Sequence, residues 1–497
     1  MSTAIKNNPI RVMADPPDSA EPAEIDRLAK AEFEKEQNLK DESSSDKEGC
    51  VKLEAKKMDP AQEACLLLVE HRIGEFRRLH FWSGGFWYWI KGKFIPIPNS
   101  EARVLIVRSL NSRFTMVGTK EVSNVMEQVR SAALLSCLIQ PPSWLCENEW
   151  KPEDLIATEN LIVHLPSFVT GVENCEITSS PAFFNTSALN YEFDATRPPC
   201  PNWIAFLSQL WPNDQQAIDT LQEWFGYCLT PDTRQQKILM MLGPKRSGKG
   251  TISRVLRSVV GDGNVCGPTL ASLQTNFGLW PLLGKTVAII SDARLSGRAD
   301  QAVITERLLS ISGEDAQTID RKFLEPVTTK LLTRFMIVSN ELPRLQDSSG
   351  AFAGRMIVLR LTETFYGKED EALSDRLIHE RAGILHWAIE GWKRLRERGR
   401  FVQPESGLQL IQQLEELASP IAAFVSECCE VGDSASIETS ILYQAWVEWC
   451  KESGREPSTI QTFGRDLTAL LPRLNQRQSR AYSTKRVRIY DGIRLNP

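Results

Sequence analysis

The apolar positions change period several times along the chain, and each change suggests a different element. Residues 1 to about 59 have no periodic apolar pattern; they are poor in aromatics and rich in Glu, Lys, Asp and Ser. Such a stretch cannot bury enough apolar surface to offset its ordering entropy, so a disordered charged leader is expected over 1–59. Its middle, 24–39, could form a solvated helix or dock replication partners. From Ala61 the pattern tightens, with a helical apolar run over 65–69 and a dense aromatic stretch over 79–97 that includes Phe81, Trp82, Phe86, Trp87, Tyr88 and Trp89. Gly84 and Gly85 split that stretch into a hairpin, with a second turn at 91–93. Its aromatics, interleaved with Lys, either pack a small core or stack single-stranded bases. Further short strands, one near 161–165, run to a proline-rich boundary at 195–203. An α+β domain is therefore expected over 60–200. Residues 203–227 then return to helical spacing and make 201–235 a helical lead-in.

The apolar run 238–242 is followed by GPKRSGKGT, residues Gly243, Pro244, Lys245, Arg246, Ser247, Gly248, Lys249, Gly250 and Thr251. Next come Ile252, Val255, Leu256 and Val259 at helical spacing. A glycine-rich turn from a buried strand into a helix N-terminus lets backbone N–H groups surround phosphate oxygens, and the helix dipole favours the negative charge. The turn predicts ATP binding, with Lys249 reaching the β- and γ-phosphates. The usual pattern has Ser or Thr directly after the Lys to hold Mg²⁺; here Gly250 intervenes, and the hydroxyl of Thr251 is displaced about 100° around the helix. Thr251 and Asp292 are the expected metal ligands.

Two more buried strands are expected. The one over 286–290 ends at Ser291 and Asp292, and the one over 335–338 ends at Ser339 and Asn340. In open α/β sheets ligands lie outside the carboxyl ends of the strands, so Lys249, Asp292 and Asn340 should converge on one nucleotide. Asp292 would hold Mg²⁺, and Asn340 would orient the attacking water or sense the γ-phosphate. Arg355 directly precedes a fourth strand, 356–361. It either crosses a subunit interface to a neighbour's γ-phosphate or pairs a surface acid. The core expected over 236–400 is thus a P-loop ATPase of α/β class.

Beyond the linker at 399–407, three helices are expected over 421–429, 441–451 and 460–471. A hairpin-like stretch follows, with Arg473, Arg477, Arg480, Lys485, Arg486, Arg488 and Arg494. Helices leading into a basic hairpin predict a winged-helix-like DNA-binding domain over 401–497; the alternative is a basic tail covering an acidic neighbour.

Bulk composition narrows the classes. With 497 residues and 42% hydrophobic residues the chain can bury several cores. A net charge of −5 excludes indiscriminate whole-surface binding to nucleic acid, so any nucleic-acid contact must be a local patch. The 11 cysteines include no C-x-x-C pair and the five histidines are scattered, which predicts neither a zinc site nor a disulfide framework. No stretch approaches membrane-spanning length, and a cytoplasmic protein is expected.

The segments WIAFLSQLWPNDQQAIDTLQEWFGYCLTPDT, GPKRSGKGT, AIISDARL, ISGEDAQTIDRK, FMIVSNELPRL and GAFAGRM resemble the superfamily 3 helicases, in particular the primase-associated helicases of poxviruses, satellite phages and plasmids. The resemblance covers roughly 150–400 and implies an AAA+ motor working as a ring, commonly a hexamer, around DNA. It implies Lys249 on phosphate, Asp292 in the acidic magnesium motif, Asn340 as sensor and Arg355 as a finger acting in trans. It also implies a hairpin within 313–322 that points into the channel, with Arg321 and Lys322 on the phosphates of a single strand. Such contacts are blind to sequence and so permit movement. The chain departs from the family pattern in having Ser291 where many members carry a second acid. Only about sixty residues precede the first expected domain, so primer synthesis is not expected. Two other readings fit the same sequence features, a P-loop nucleotide kinase and an origin-binding protein that uses ATP only to assemble.

Overall fold

The computed structural model describes residues 53–55, 58–293, 300–322, 324–343, 345, 347, 350–480 and 486–496; the leader expected over 1–59 lies almost entirely outside them. The central feature is a five-stranded sheet with every pairing parallel. In chain order its strands are β1 (Ile238–Leu242), β2 (Val265–Cys266), β3 (Val287–Ile290), β4 (Arg334–Ser339) and β5 (Met356–Arg360). In space the order is β2-β3-β4-β1-β5.

The apolar runs explain why this sheet is parallel and two-faced. Every residue of β1 and β4 is buried, as a strand covered on both sides requires. Successive side chains alternate between two cores. Leu239, Met241, Ile289, Met336 and Val338 enter one cluster, whereas Ile238, Met240, Ile290, Phe335 and Ile337 enter the other. Helix α1 (Lys249–Val260) follows the Gly243–Gly248 turn and buries Ile252, Val255, Leu256 and Val259 at the expected spacing. The open edge of β5 is closed by Gln403, whose side chain accepts from Val358 N–H at 2.9 Å and donates to Val358 O at 2.8 Å.

The lead-in segment forms two helices, Pro201–Leu210 and Gln215–Tyr227, and the second packs along the helix Arg381–Arg398. Glycines set that approach. A Cβ on Gly226 would lie 2.4 Å from Ala388 O, and one on Gly391 would lie 2.3 Å from Gln222 O. Buried Glu223 accepts from Arg394 and Arg398 across the same seam.

Before the lead-in, strands Leu79–Trp82, Gly85–Ile90 and Lys93–Ile97 form an antiparallel meander beside helices Pro60–Glu70, Asn99–Arg113 and Thr119–Ala132. Both turns fall where Gly84–Gly85 and 91–93 place them. Trp82, Trp87, Trp89 and Phe94 are buried with Phe184 in one cluster and Phe86 and Tyr88 are fully buried, so these aromatics pack a core and are not offered to bases.

The C-terminal module contains helices Pro420–Cys428, Thr439–Glu452 and Ile460–Leu470 and a three-stranded antiparallel sheet. The basic hairpin Asn475–Arg480 and Arg486–Leu495 pairs as expected, but a third strand, Cys429–Glu438, lies along its far edge. That strand escapes sequence reading because Gly432, Asp433 and Ser434 interrupt it, and the pairing register shifts there between Val431 and Ser436. Among the described residues no helix is long and apolar enough to cross a membrane.

Candidate nucleotide site

Because β1, β3 and β4 are parallel, their carboxyl ends share one edge of the sheet, and that edge collects the Gly243–Thr251 loop, Asp292 and Asn340. Leu242 is level with Ser339, and Ile290 with Ile337, so Gly243 and Asn340 leave adjacent strands at the same height. Asp292 leaves the next strand over, and the backbone separation from β1 to β3 is about 10 Å, two strand spacings. Asp292 and Asn340 are both exposed on that edge.

The loop is tightly built. Gly243 N–H donates to Ser339 O at 3.4 Å, which extends the β1–β4 ladder into the loop. A Cβ on Gly243 would lie 2.5 Å from Leu361 O, so only glycine fits. Arg246 (φ 59°) and Gly248 (φ 84°) both take left-handed backbone, a conformation that turns successive N–H groups toward an anion. Phe206 and Leu210 of the lead-in helix would each lie 3.0 Å from a Cβ on Gly248. The lead-in therefore braces the loop from beneath, a tertiary contact with no signature in local spacing. Lys249 is buried, and its ammonium donates to Gly243 O and Pro244 O at 2.7 Å and to Ser247 Oγ at 3.0 Å. Burial lowers its pKa below the ordinary lysine value. The cation is thus already positioned inside the loop.

Pro244, Lys245, Arg246 and Gly250 are exposed, and Ser247 is buried. The Thr251 hydroxyl accepts from Arg254 Nη2 at 3.3 Å, so a guanidinium faces one of the two expected metal ligands. Among the described residues no group of three or more His, Cys, Asp or Glu side chains is placed to hold a metal by itself. A segment the sequence did not single out crosses the loop, with Thr364 Oγ1 donating to Lys245 O at 3.0 Å and Phe365 N–H to Arg246 O at 2.9 Å.

Arg355 lies at the opposite edge. It precedes Met356, which is level with Ile238 at the amino end of β1, roughly 15–20 Å along the strands from the loop. Its Nη1 donates to Leu309 O at 2.6 Å and Ser312 Oγ at 2.9 Å, capping the C-terminus of helix Gln301–Ser312.

The hairpin expected within 313–322 exists as strands Ala316–Arg321 and Leu324–Lys330. Lys322 is exposed at its turn, but Arg321 does not share the tip position expected for it. Arg321 is buried and donates to Glu325 O of its own hairpin and to Ser83 O at the first turn of the aromatic meander, both at 2.9 Å, because the turn folds its guanidinium back toward the meander. In the C-terminal module Arg477 pairs with Asp491 and Arg494 with Glu430, while Arg473 and Arg488 are exposed. Lys485 lies outside the described residues, as do the side chains of Arg480 and Arg486.

Two family models match within the chain. Residues 241–355, from the loop strand to Arg355, match a family of unknown function (DUF5906), and residues 418–492 match the poxvirus D5 protein-like family. The uncharacterized mitochondrial protein ymf21 of Marchantia polymorpha is 30% identical over 79 residues, which are 16% of this chain and 44% of that protein. The chain thus covers less than half of that protein's length. Among solved structures, the A form apo structure of the NrS-1 C-terminal region superposes with a TM-score of 0.50 at 14% identity, over 88% of this chain and 100% of that one. A second apo structure of that region gives 0.47 at 14% identity, with the same coverage. At such identity the first match shows a shared fold, and it extends over most of the chain.

Proposed function

We propose that this chain is an ATP-driven DNA helicase of the D5-like primase-helicase kind, serving replication of a mobile element. The observation that carries the reading is the common sheet edge at which the Gly243–Thr251 loop, Asp292 and Asn340 meet. The poxvirus D5 protein-like match in the C-terminal module supports the replication context. In this reading the core is an AAA+-type ATPase and the C-terminal module a winged-helix-like domain for duplex DNA, with Arg473, Arg477, Arg480, Lys485, Arg486 and Arg488 near phosphates. Single-stranded DNA passes Lys322 in the channel of a homo-oligomeric ring, a hexamer as the family resemblance implies. Arg321 does not contact the strand and instead holds the hairpin to the meander.

The chemistry follows from the residues. N–H groups of the loop and the Lys249 ammonium hold the triphosphate, and Asn340 orients water toward the terminal phosphorus. Asp292 and Thr251 would hold an Mg²⁺ arriving with the nucleotide, which would supply positive charge to the triphosphate; the Arg254 guanidinium, which donates to Thr251 Oγ1, would add to that charge. Arg355 is too far from its own loop to reach that phosphate, which favours a role at a neighbour's site.

The deciding experiment measures DNA-stimulated ATP hydrolysis and strand displacement on forked DNA for the wild type and Lys249→Ala. The expected result is ATP-dependent unwinding by the wild type and loss of both activities, by at least about a hundredfold in turnover, in the variant. DNA binding without unwinding would replace this reading with an assembly protein, and phosphate transfer to a nucleotide without DNA would replace it with a kinase.

A further inference from the structure

The segment that crosses the phosphate loop carries one exposed aromatic side chain, Tyr366. Thr364 and Phe365 fasten it to the carbonyls of Lys245 and Arg246. Glu369 lies 3.5 Å from Arg246, and Ser374 accepts from Arg254 Nε at 3.1 Å, which ties the far end of the segment to α1. Between these anchors Lys368 N–H donates to Phe365 O at 2.8 Å, closing a tight turn with Tyr366 and Gly367 at its centre. Gly367 has φ 75°, the left-handed backbone that a type II turn requires at its third position. The two aromatics of the turn part ways: Phe365 packs against the main core, whereas Tyr366 is 78% exposed. Tyr88, Tyr191, Tyr227 and Tyr490, by contrast, are all buried. A lone exposed aromatic is ordinary on a surface. One held at the tip of a closed turn, pinned at both ends to the loop that would hold a triphosphate, is placed for a planar ligand.

We propose that Tyr366 is the platform on which the base of the bound nucleotide stacks, and that residues 362–374 form a strap reading the nucleoside end of the site. The inference rests on the phosphate-loop reading above. The phosphates belong to the N–H groups and Lys249, and the base needs a flat apolar surface beside them. Among the described residues of the strap, Tyr366 supplies it. Stacking on a ring is tolerant of base identity, so Tyr366 contributes affinity for nucleosides as a class.

The test compares Mg-ADP with inorganic tripolyphosphate as ligands, measured by calorimetry on the full chain for the wild type, Tyr366→Ala and Tyr366→Trp. Expected is a loss of about tenfold in Mg-ADP affinity for Tyr366→Ala, tripolyphosphate affinity held within about twofold, and near wild-type binding of both by Tyr366→Trp. Unchanged Mg-ADP affinity in Tyr366→Ala overturns the proposal, as does an equal loss for both ligands, which would mean that the residue acts by shaping the loop. A wild type that binds neither ligand overturns the phosphate-loop reading itself and is therefore recognised separately.

Discussion

His80 shows how one buried side chain makes stability depend on pH. It lies on the meander strand Leu79–Trp82 between the rings of Phe94 and Phe184, and its Nε2 is buried with no hydrogen-bond partner. Burial, with Arg77 adding like-charge repulsion, pushes its pKa down to about 4 despite a hydrogen bond to the Ala133 backbone. A histidine whose folded value is depressed is neutral in the native state and binds a proton more readily when unfolded. Its contribution is therefore complete above the ordinary histidine value near 6.5 and declines as pH falls from there toward 4. Moving from pH 7 to pH 5 should cost about 2 kcal/mol of stability from this residue alone. The check is direct: the His80 ring resonances in a pH titration by NMR should show no protonation above pH 5. A midpoint near 6.5 would mean that the ring is solvated and that the meander packs differently.

At the scale of elements, the seam between helices Gln215–Tyr227 and Arg381–Arg398 joins the lead-in to the rest of the core. Glu223 has no exposed surface in that seam, whereas Arg394 and Arg398 keep about a third of theirs. The asymmetry predicts an asymmetric response. Arg394→Ala leaves Glu223 paired with Arg398 and should cost about 1 kcal/mol, but replacing both arginines leaves a buried carboxylate alone and should cost about 3–5 kcal/mol. Denaturant unfolding of the single and double variants measures both, and equal losses would show that the seam relaxes to admit water. The two helices were legible in the sequence from their 3.6-residue spacing, and the parallel strands from unbroken apolar runs such as Ile238 to Leu242. Their mutual contact was not legible, because Gly226 and Gly391 mark close approach only once the partner helix is known. The same limit explains Arg321. A basic residue near a hairpin turn reads as solvated until the Ser83 carbonyl is found opposite it. The turn Gly243–Thr251, by contrast, stood out because its signature is local, with glycines, a lysine and a strand-to-helix junction all within nine residues. The crossing segment was missed because Thr364 and Phe365 lie more than a hundred residues from the loop they are bonded to.

For the whole molecule, the placement of Arg355 distinguishes a lone enzyme from an assembly. Its side chain caps helix Gln301–Ser312 through Leu309 O and Ser312 Oγ, at the sheet edge remote from its own Lys249. If it serves only as a cap, Arg355→Ala should lower stability by about 1 kcal/mol and leave DNA-stimulated ATP hydrolysis untouched. If it neutralises charge at a neighbour's triphosphate, turnover should fall by about a thousandfold, since a trans-acting arginine carries that order of rate. Mixing then separates the mechanisms. In a preparation holding both Lys249→Ala and Arg355→Ala chains, an interface that takes its loop from an Arg355→Ala chain and its arginine from a Lys249→Ala chain is complete. Activity should therefore reappear in the mixture although each variant alone is inert. Two inactive variants that stay inactive when mixed, under conditions where their exchange into common oligomers is shown by labelling, would remove the shared-interface motor and leave Arg355 as a helix cap whose loss disables its own chain.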